Sequence, residues 1–294
     1  MGLFKYVSAE TAERILKGSI RFAQPGAFND PFELLPQFST PTGLEEHSRN
    51  FRFCLTSPRR RGLDRSHIPT PDEHRSDIHA RQIVSALNDQ IGILCLSRNP
   101  DSLLMWGHYA DEYRGAVIEF DEHHEFFTGL NPVKYQKRRP VFNIADFFDR
   151  DIPVSDLCVK SNAWKYEREV RIVRSATNLR ASDKTISGHK LLTMSLPLDC
   201  IKAVHMGERM EVEWQRKIWA LVSETQISLS LAAVANWDYS FRYDLIKLPG
   251  RLIGTPMITP RTAHIFTDDP GDLGDIAKWM IENHHKAEFV NHKC

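Results

Sequence analysis

Residues 160–173 read Lys-Ser-Asn-Ala-Trp-Lys-Tyr-Glu-Arg-Glu-Val-Arg-Ile-Val, and the expected architecture of the chain is built outward from them. The second half of this stretch, residues 166–173, alternates residue by residue and is rich in β-forming residues near its end, which predicts a strand. Side chains two apart on a strand share a face. The pattern therefore places Glu167, Glu169 and Arg171 on one side of the predicted strand.

Two carboxylates placed side by side repel each other, so Glu167 and Glu169 need a nearby cation or a shared proton. Arg171, the next residue in the same row, can supply the cation. Trp164 and Tyr166 flank the row, which favours a lined cleft over an open surface. A solvated sheet face or a structural ion pair stays open as the alternative interpretation of the same pattern.

The composition is typical of a globular protein with a hydrophobic core: 294 residues, 41% hydrophobic and 10% aromatic. Lysine plus arginine equals aspartate plus glutamate at 38 each, so a global positive field that would hold nucleic acid is excluded, although a local patch is not. No apolar run reaches the roughly 20 residues of a membrane span, and the start has no secretory segment. These features predict a cytoplasmic protein without membrane contact.

The cysteines and histidines do not form a metal-binding pattern. The five cysteines are scattered with no Cys-x-x-Cys pair, and the thirteen histidines include no His-Glu-x-x-His set. We therefore expect no metal site and no disulfide framework.

Strands and helices alternate irregularly along the rest of the chain, which predicts an α+β fold. The main expected strands are residues 3–7, 20–23, 91–97, 116–120, 201–207, 228–235 and 241–248. The main expected helices are residues 9–17, 78–88, 103–111, 211–223 and 273–286. We predict one core domain over residues 1–249, with an exposed basic loop at 57–77, and a C-terminal appendage at 250–294 that carries one helix.

Familiar nucleotide and hydrolase motifs are absent from the sequence. It contains no phosphate-cradling Gly-x-x-x-x-Gly-Lys loop, no Gly-x-Gly-x-x-Gly fingerprint and no Gly-x-Ser-x-Gly elbow. A carboxylate pair with aromatic neighbours instead suits chemistry at an anomeric carbon. There a carboxylate stabilises an oxocarbenium-like transition state and binds the sugar 2-hydroxyl.

Three motifs together resemble a bacterial family known only as domain of unknown function 2971. They are Phe28-Asn-Asp-Pro-Phe-Glu33, Leu104-Met-Trp-Gly-His-Tyr-Ala110, and Trp164-x-Tyr-Glu-x-Glu-x-Arg171 with Lys160 before it. The similarity runs from about residue 3 to residue 248. It identifies a family and implies no established activity.

The order of the elements also resembles that of ADP-ribosyltransferases, particularly toxins that modify nucleic acid. This resemblance implies a mostly antiparallel split sheet flanked by helices, with NAD as the substrate. It makes Glu169 the catalytic glutamate and Glu167 the companion carboxylate that orients or deprotonates the acceptor. The residues that it assigns to NAD binding are Tyr6, Asn29, Asp30, Ser97, His108, Tyr109, Trp164 and Arg171.

Three functional hypotheses follow. The first is an ADP-ribosyltransferase-like enzyme that cleaves the nicotinamide–ribose bond of NAD and transfers ADP-ribose to nucleic acid, to protein or to water, in bacterial defence. The second is a non-catalytic nucleotide or nucleic-acid binding module of a defence system, whose glutamates form a structural ion-paired row. The third is a metal-dependent nuclease that uses Glu33, Glu167 and Glu169 with a histidine.

Overall fold

The computed structural model describes residues 2–35, 37–39, 76–143, 153–186 and 188–285. The predicted basic loop at 57–77 lies almost entirely outside the described residues. The chain divides into two compact units. The first unit contains Met1–Ile20, Ser97–Phe126 and Ser195–Cys294, and the second contains Arg21–Leu96 and Phe127–Met194. The predicted division at residue 249 stays a prediction.

The described α-helices are short and separated by strands. In chain order they are α1 (Ala9–Leu16), α2 (Ser76–Gln90), α3 (Leu103–Tyr109), α4 (Val154–Leu157), α5 (Val212–Val222) and α6 (Asp272–Glu282). Ser8 begins α1, because its side chain accepts a hydrogen bond from the Thr11 N–H. Ser102 begins α3 in the same way, through the Met105 N–H.

The strands are more numerous than the helices within the described residues. They are β1 (Leu3–Val7), β2 (Ser19–Phe22), β3 (Gln37–Ser39), β4 (Ile91–Ser97), β5 (Ala116–Phe120), β6 (Asn131–Pro132), β7 (Lys134–Gln136), β8 (Val141–Asn143), β9 (Val159–Ser161), β10 (Glu169–Ser175), β11 (Arg180–Ile186), β12 (His189–Ser195), β13 (Ile201–Gly207), β14 (Ser228–Val234) and β15 (Phe241–Lys247). Most pairings between them are antiparallel, which confirms the predicted α+β class with a mostly antiparallel sheet.

The first unit is built on neighbouring strands in the order β15, β14, β13, β5 and β1. β5 is antiparallel to both β1 and β13, and its side chains Val117 and Ile118 are fully buried. β13 and β14 are parallel, and α5 connects them, as a parallel crossover requires. Phe266, from the segment that follows residue 250, is fully buried with its ring edge against Trp219 of α5.

In the second unit β4, β10 and β6 are neighbours, and β10 is antiparallel to β6. β11 pairs with β12, and β7 runs parallel to β9. β4 is a nearly continuous apolar run whose residues are buried except for Cys95, the pattern of a strand covered on both faces. β9 and β10 carry the charged residues that are described below.

The strand predicted at residues 166–173 begins later than expected. Residues Asn162–Glu167 form a 3-10 helix that ends at Arg168, whose φ of 45° is left-handed, and the strand covers Glu169–Ser175. After residue 173 the structure contains two strands that were not among the main predicted ones. There β11 and β12 form a hairpin with exposed polar side chains.

None of the helices that the structure describes is long and apolar enough to cross a membrane.

Candidate functional site

Five charged side chains of the second unit come together in the interior of the protein, and we call them the charge cluster. They are Glu33, Lys160, Glu167, Glu169 and Arg171. Each is between 0% and 7% exposed. Buried charges are costly unless they are paired and hydrogen-bonded, so their arrangement decides whether the unit is stable.

Local structure brings the members of the cluster together. Glu169 and Arg171 are two apart on β10 and share a face, as predicted from the sequence. Glu167 is not part of β10. It is the last residue of the 3-10 helix, and the left-handed Arg168 joins that helix to β10. Lys160 lies on β9, and Glu33 comes from the turn that follows Pro31.

Arg171 bridges two carboxylates. Its Nε donates to Glu169 Oε1 at 2.8 Å, its Nη2 to Glu169 Oε2 at 3.0 Å, and its Nη1 to Glu33 Oε1 at 2.8 Å. This two-pronged contact is the strong form of an arginine–carboxylate pair. It uses both oxygens of Glu169.

Lys160 lies between the three carboxylates. Its Nζ donates to Glu167 Oε2 at 2.7 Å and to Glu169 Oε2 at 3.3 Å. It is 3.7 Å from Glu33 Oε2, beyond hydrogen-bonding distance, and that oxygen is buried with no hydrogen-bond partner among the described residues. The three carboxylates and two cations give the cluster a formal charge of −1.

The electrostatics keep Glu169 ionised. Burial would raise the pKa of its carboxyl, but the charge and hydrogen bonds of Arg171, with the charge of Lys160, lower that pKa to about 2. Burial raises the pKa of Glu33, and Arg171 only partly opposes this effect. Burial alone would lower the pKa of Lys160, but the glutamates raise it instead.

Aromatic side chains surround the cluster. The Trp164 ring lies 4.8 Å from Lys160 Nζ, and the Phe28 ring lies 5.4 Å from the Arg171 guanidinium. The Tyr135 hydroxyl accepts a hydrogen bond from the Glu169 N–H at 2.7 Å. Trp164 is therefore a neighbour of the glutamate row, as the sequence predicted, through its contact with Lys160.

A cavity of about 230 Å³ adjoins the cluster through Lys160, which forms part of its wall. Its apolar wall includes Phe32, Leu34 and Phe142, and its polar wall includes Asp30, Asp156 and Ser161. Asp30 and Leu34 belong to the same turn as Glu33, and Leu34 has a left-handed φ of 54°. The charge cluster therefore anchors, through Glu33, the turn that forms one wall of the cavity.

Three consecutive cations, Lys137, Arg138 and Arg139, line the exposed mouth of the cavity. Within the described part of the chain none of them forms an ion pair. The guanidinium of Arg139 lies 4.7 Å from the centre of the Phe32 ring. Unpaired cations beside an apolar wall suit a ligand that carries both an anionic group and a flat apolar group.

The other residues predicted to bind NAD lie in several places. Asp30 is buried in the cavity wall, and Asn29 beside it is exposed. In the first unit, Tyr6 donates from its hydroxyl to the Asn99 carbonyl at 2.9 Å, and the Ser97 hydroxyl accepts from the Asn99 N–H at 2.8 Å.

His108 and Tyr109 of α3 also belong to the first unit. His108 is exposed on the surface, and the two rings are 6.2 Å apart, edge to face. Their role in NAD binding stays a prediction, as do those of Tyr6, Ser97 and the other assigned residues.

Lys160 and the three cations at 137–139 had no assigned role in the sequence prediction, and Glu33 had one only in the metal-dependent hypothesis. Lys160 and Glu33 were part of the family motifs, but nothing in their spacing shows that they meet Glu169, because a tertiary contact joins them. The three cations at 137–139 had a visible signal, the run Lys-Arg-Arg, which is an unusual local density of positive charge in a neutral chain.

The metal-dependent hypothesis lacks a ligand set among the described residues, where no group of three or more histidine, cysteine, aspartate or glutamate side chains is arranged to hold a metal ion. The three glutamates named for that hypothesis instead surround the ammonium of Lys160.

Comparison with known families adds one match. The model of a family described as a protein of unknown function, DUF2971, matches residues 105–172. The match supports the predicted resemblance to this family over that segment of the chain. The segment that matches DUF2971 contains Lys160, Glu167, Glu169 and Arg171, four of the five members of the charge cluster. No curated protein and no solved structure matches the chain.

Proposed function

We propose that this protein binds a nucleotide, with one nucleotide unit held in the cavity of the second unit. The observation that carries the proposal is the combination of an apolar cavity with three unpaired cations at its mouth. A base would contact the apolar wall formed by Phe32, Leu34 and Phe142, and the phosphate would lie against Arg138 and its neighbours. This is the binding-module hypothesis, in which the charge cluster is a scaffold.

The size of the cavity limits how much of a ligand it can enclose. Cavities that enclose a drug-sized ligand measure about 300–1,000 Å³. The 230 Å³ found here is smaller, so it suits one base with its sugar rather than a whole dinucleotide. A nucleoside monophosphate is therefore the appropriate first probe, and NAD would place only one of its two halves inside.

We expect the protein to bind nucleoside 5′-monophosphates in a calorimetric titration, and we expect Arg138→Ala/Arg139→Ala to weaken that binding at least about tenfold, because hydrogen bonds to a charged phosphate are lost. Raising the salt concentration should weaken binding to the wild type more than to the variant. The matched control is Arg180→Ala/Lys184→Ala, which removes two exposed cations of β11 in the same unit. Equal affinity in the two double variants would place the ligand elsewhere.

A second candidate function is ADP-ribosyl transfer from NAD, and the pair of glutamates in the charge cluster supports it. Glu169 stays ionised in surroundings that contain little water, where a carboxylate stabilises positive charge on a ribose carbon most strongly. Arg171 donates hydrogen bonds to both oxygens of Glu169, and Lys160 donates to one of them. The reaction would therefore require at least one of these cations to release Glu169. A role in bacterial defence and a cytoplasmic location stay predictions.

For this second candidate we expect the wild-type protein to release nicotinamide from NAD and Glu169→Gln to lose that activity, measured by chromatography of the products with nucleic acid or protein as the acceptor. The variant must first be shown to melt cooperatively, because it also weakens a buried ion pair. Nicotinamide release at the wild-type rate from folded Glu169→Gln would rule out catalysis by this carboxylate.

A further inference from the structure

The buried carboxylate of Asp30 supplies an acceptor that the fold itself does not use. Asp30 is 5% exposed and lines the cavity. Its Oδ1 accepts a hydrogen bond from the Phe32 N–H at 2.9 Å, which closes the turn. None of the described residues donates a hydrogen bond to the other oxygen, Oδ2, so this oxygen remains available as an acceptor. A hydrogen-bond donor on a ligand in the cavity is the natural complement of Oδ2.

The distribution of charge gives the cavity a polarity. Its buried side contains Asp30 and adjoins the charge cluster, whose formal charge is −1. Glu33 Oε2 of that cluster has no hydrogen-bond partner within the described ranges of the chain. Its exposed mouth contains Lys137, Arg138 and Arg139. An anionic group is therefore favoured at the mouth, and hydrogen-bond donors are favoured at the buried side.

A nucleotide fits this polarity in one orientation. Its phosphate lies at the mouth, and its base lies inward against Leu34 and Phe142. The edge of the base then faces Asp30. A carboxylate there accepts hydrogen bonds and offers none, so it complements an exocyclic amino group and repels a carbonyl oxygen.

We propose that Asp30 selects nucleotides whose base carries an exocyclic amino group, such as adenine or cytosine, over those with a carbonyl at the same position. The inference rests on the proposed nucleotide-binding function and names the feature of the ligand that this site recognises. It makes Asp30 a specificity-determining residue, in contact with the ligand, whose neighbour Glu33 holds the turn in place.

The test compares pairs of ligands in which a carbonyl oxygen replaces the exocyclic amino group and the adjacent ring nitrogen changes from an acceptor to an N–H donor. Cytidine and uridine 5′-monophosphates form one pair, and adenosine and inosine 5′-monophosphates form the other. We expect the wild type to bind the amino member of each pair at least about tenfold more tightly, since the carbonyl member leaves two acceptors facing each other. This comparison requires no variant and therefore does not depend on the folding of a mutant.

The variant Asp30→Asn replaces one hydrogen-bond acceptor, Oδ2, by a donor. Asparagine can still accept the Phe32 N–H through its amide oxygen, and it places an NH₂ donor where Oδ2 was. We expect this variant to lose the preference or to reverse it in favour of uridine and inosine monophosphates. Asp183→Asn, at an exposed position of β11, serves as the control and should keep the wild-type preference.

The outcomes separate the two proposals. Binding of all four nucleotides with equal affinity to the wild type would overturn the role of Asp30 and leave the proposed function intact. An unchanged preference in folded Asp30→Asn would do the same. Absence of binding for every monophosphate would overturn the proposed function, and this inference with it.

Discussion

Replacing Arg171 by methionine is expected to lower the free energy of unfolding by about 3–5 kcal/mol. Arg171 is fully buried, and it is the cation that binds both Glu169 and Glu33. Methionine fills similar space without charge, so the three carboxylates would remain in the interior with only Lys160 beside them. Urea unfolding, followed by circular dichroism, measures the change directly, provided that the slope against denaturant is unchanged.

The control for this variant is another arginine in an ion pair, but at the surface. Arg251 lies 3.8 Å from Glu224 with 76% of its side chain exposed. Arg251→Met is expected to change the free energy of unfolding by less than about 1 kcal/mol, because solvent screens such pairs. A loss of similar size in both variants would mean that the charge cluster does not contribute to stability in the way its burial implies.

Acidification is expected to destabilise the protein through His205. Burial lowers the pKa of this imidazole from 6.5 to about 4, while its Nδ1 lies 2.7 Å from the Ser230 hydroxyl. The unfolded chain takes up a proton below pH 6.5 and the folded protein does not, so stability is lost as the pH falls from about 6.5 to about 4. Since one pH unit corresponds to about 1.4 kcal/mol, the loss amounts to roughly 3 kcal/mol.

His205→Asn isolates this effect, because the amide can keep a hydrogen bond to Ser230 and does not titrate. We expect the variant to unfold with similar stability at pH 7 and to lose much less stability than the wild type by pH 4, as measured by thermal melts across this range. His123→Asn removes a histidine that is 85% exposed and should leave the pH profile as it is. Parallel pH profiles for wild type and His205→Asn would contradict the assignment.

Buried apolar strands were the part of the fold that could be predicted most closely. The bounds of β4, β5 and β13 agree with the prediction to the residue, because each is mostly apolar and lies between polar turns. The hairpin of β11 and β12 was not among the main predicted strands. The side chains of β11 are mostly exposed and polar, so its sequence lacks the hydrophobic alternation that indicates a strand.

The candidate site was predicted in part, and for a reason that was partly wrong. Glu167 and Glu169 do come together, but Glu167 belongs to a 3-10 helix that ends at the left-handed Arg168, and the two do not share one face of a single strand as predicted. Nothing in the local pattern indicates this left-handed conformation, which a non-glycine residue rarely adopts. Lys160 and Glu33 are brought to the same place by tertiary contacts, which the sequence of one chain does not display.

The contact between Glu33 and Arg171 also has a consequence for the time course of folding. It joins residues 138 positions apart in the chain, so the entropy of closing a long loop must be overcome before the contact forms. During synthesis on the ribosome Glu33 emerges well before Arg171. In a nascent chain that ends before residue 171, the Glu33 carboxylate has no Arg171 guanidinium with which to pair. We therefore expect the second unit to gain its resistance to proteases only after β10 has left the exit tunnel.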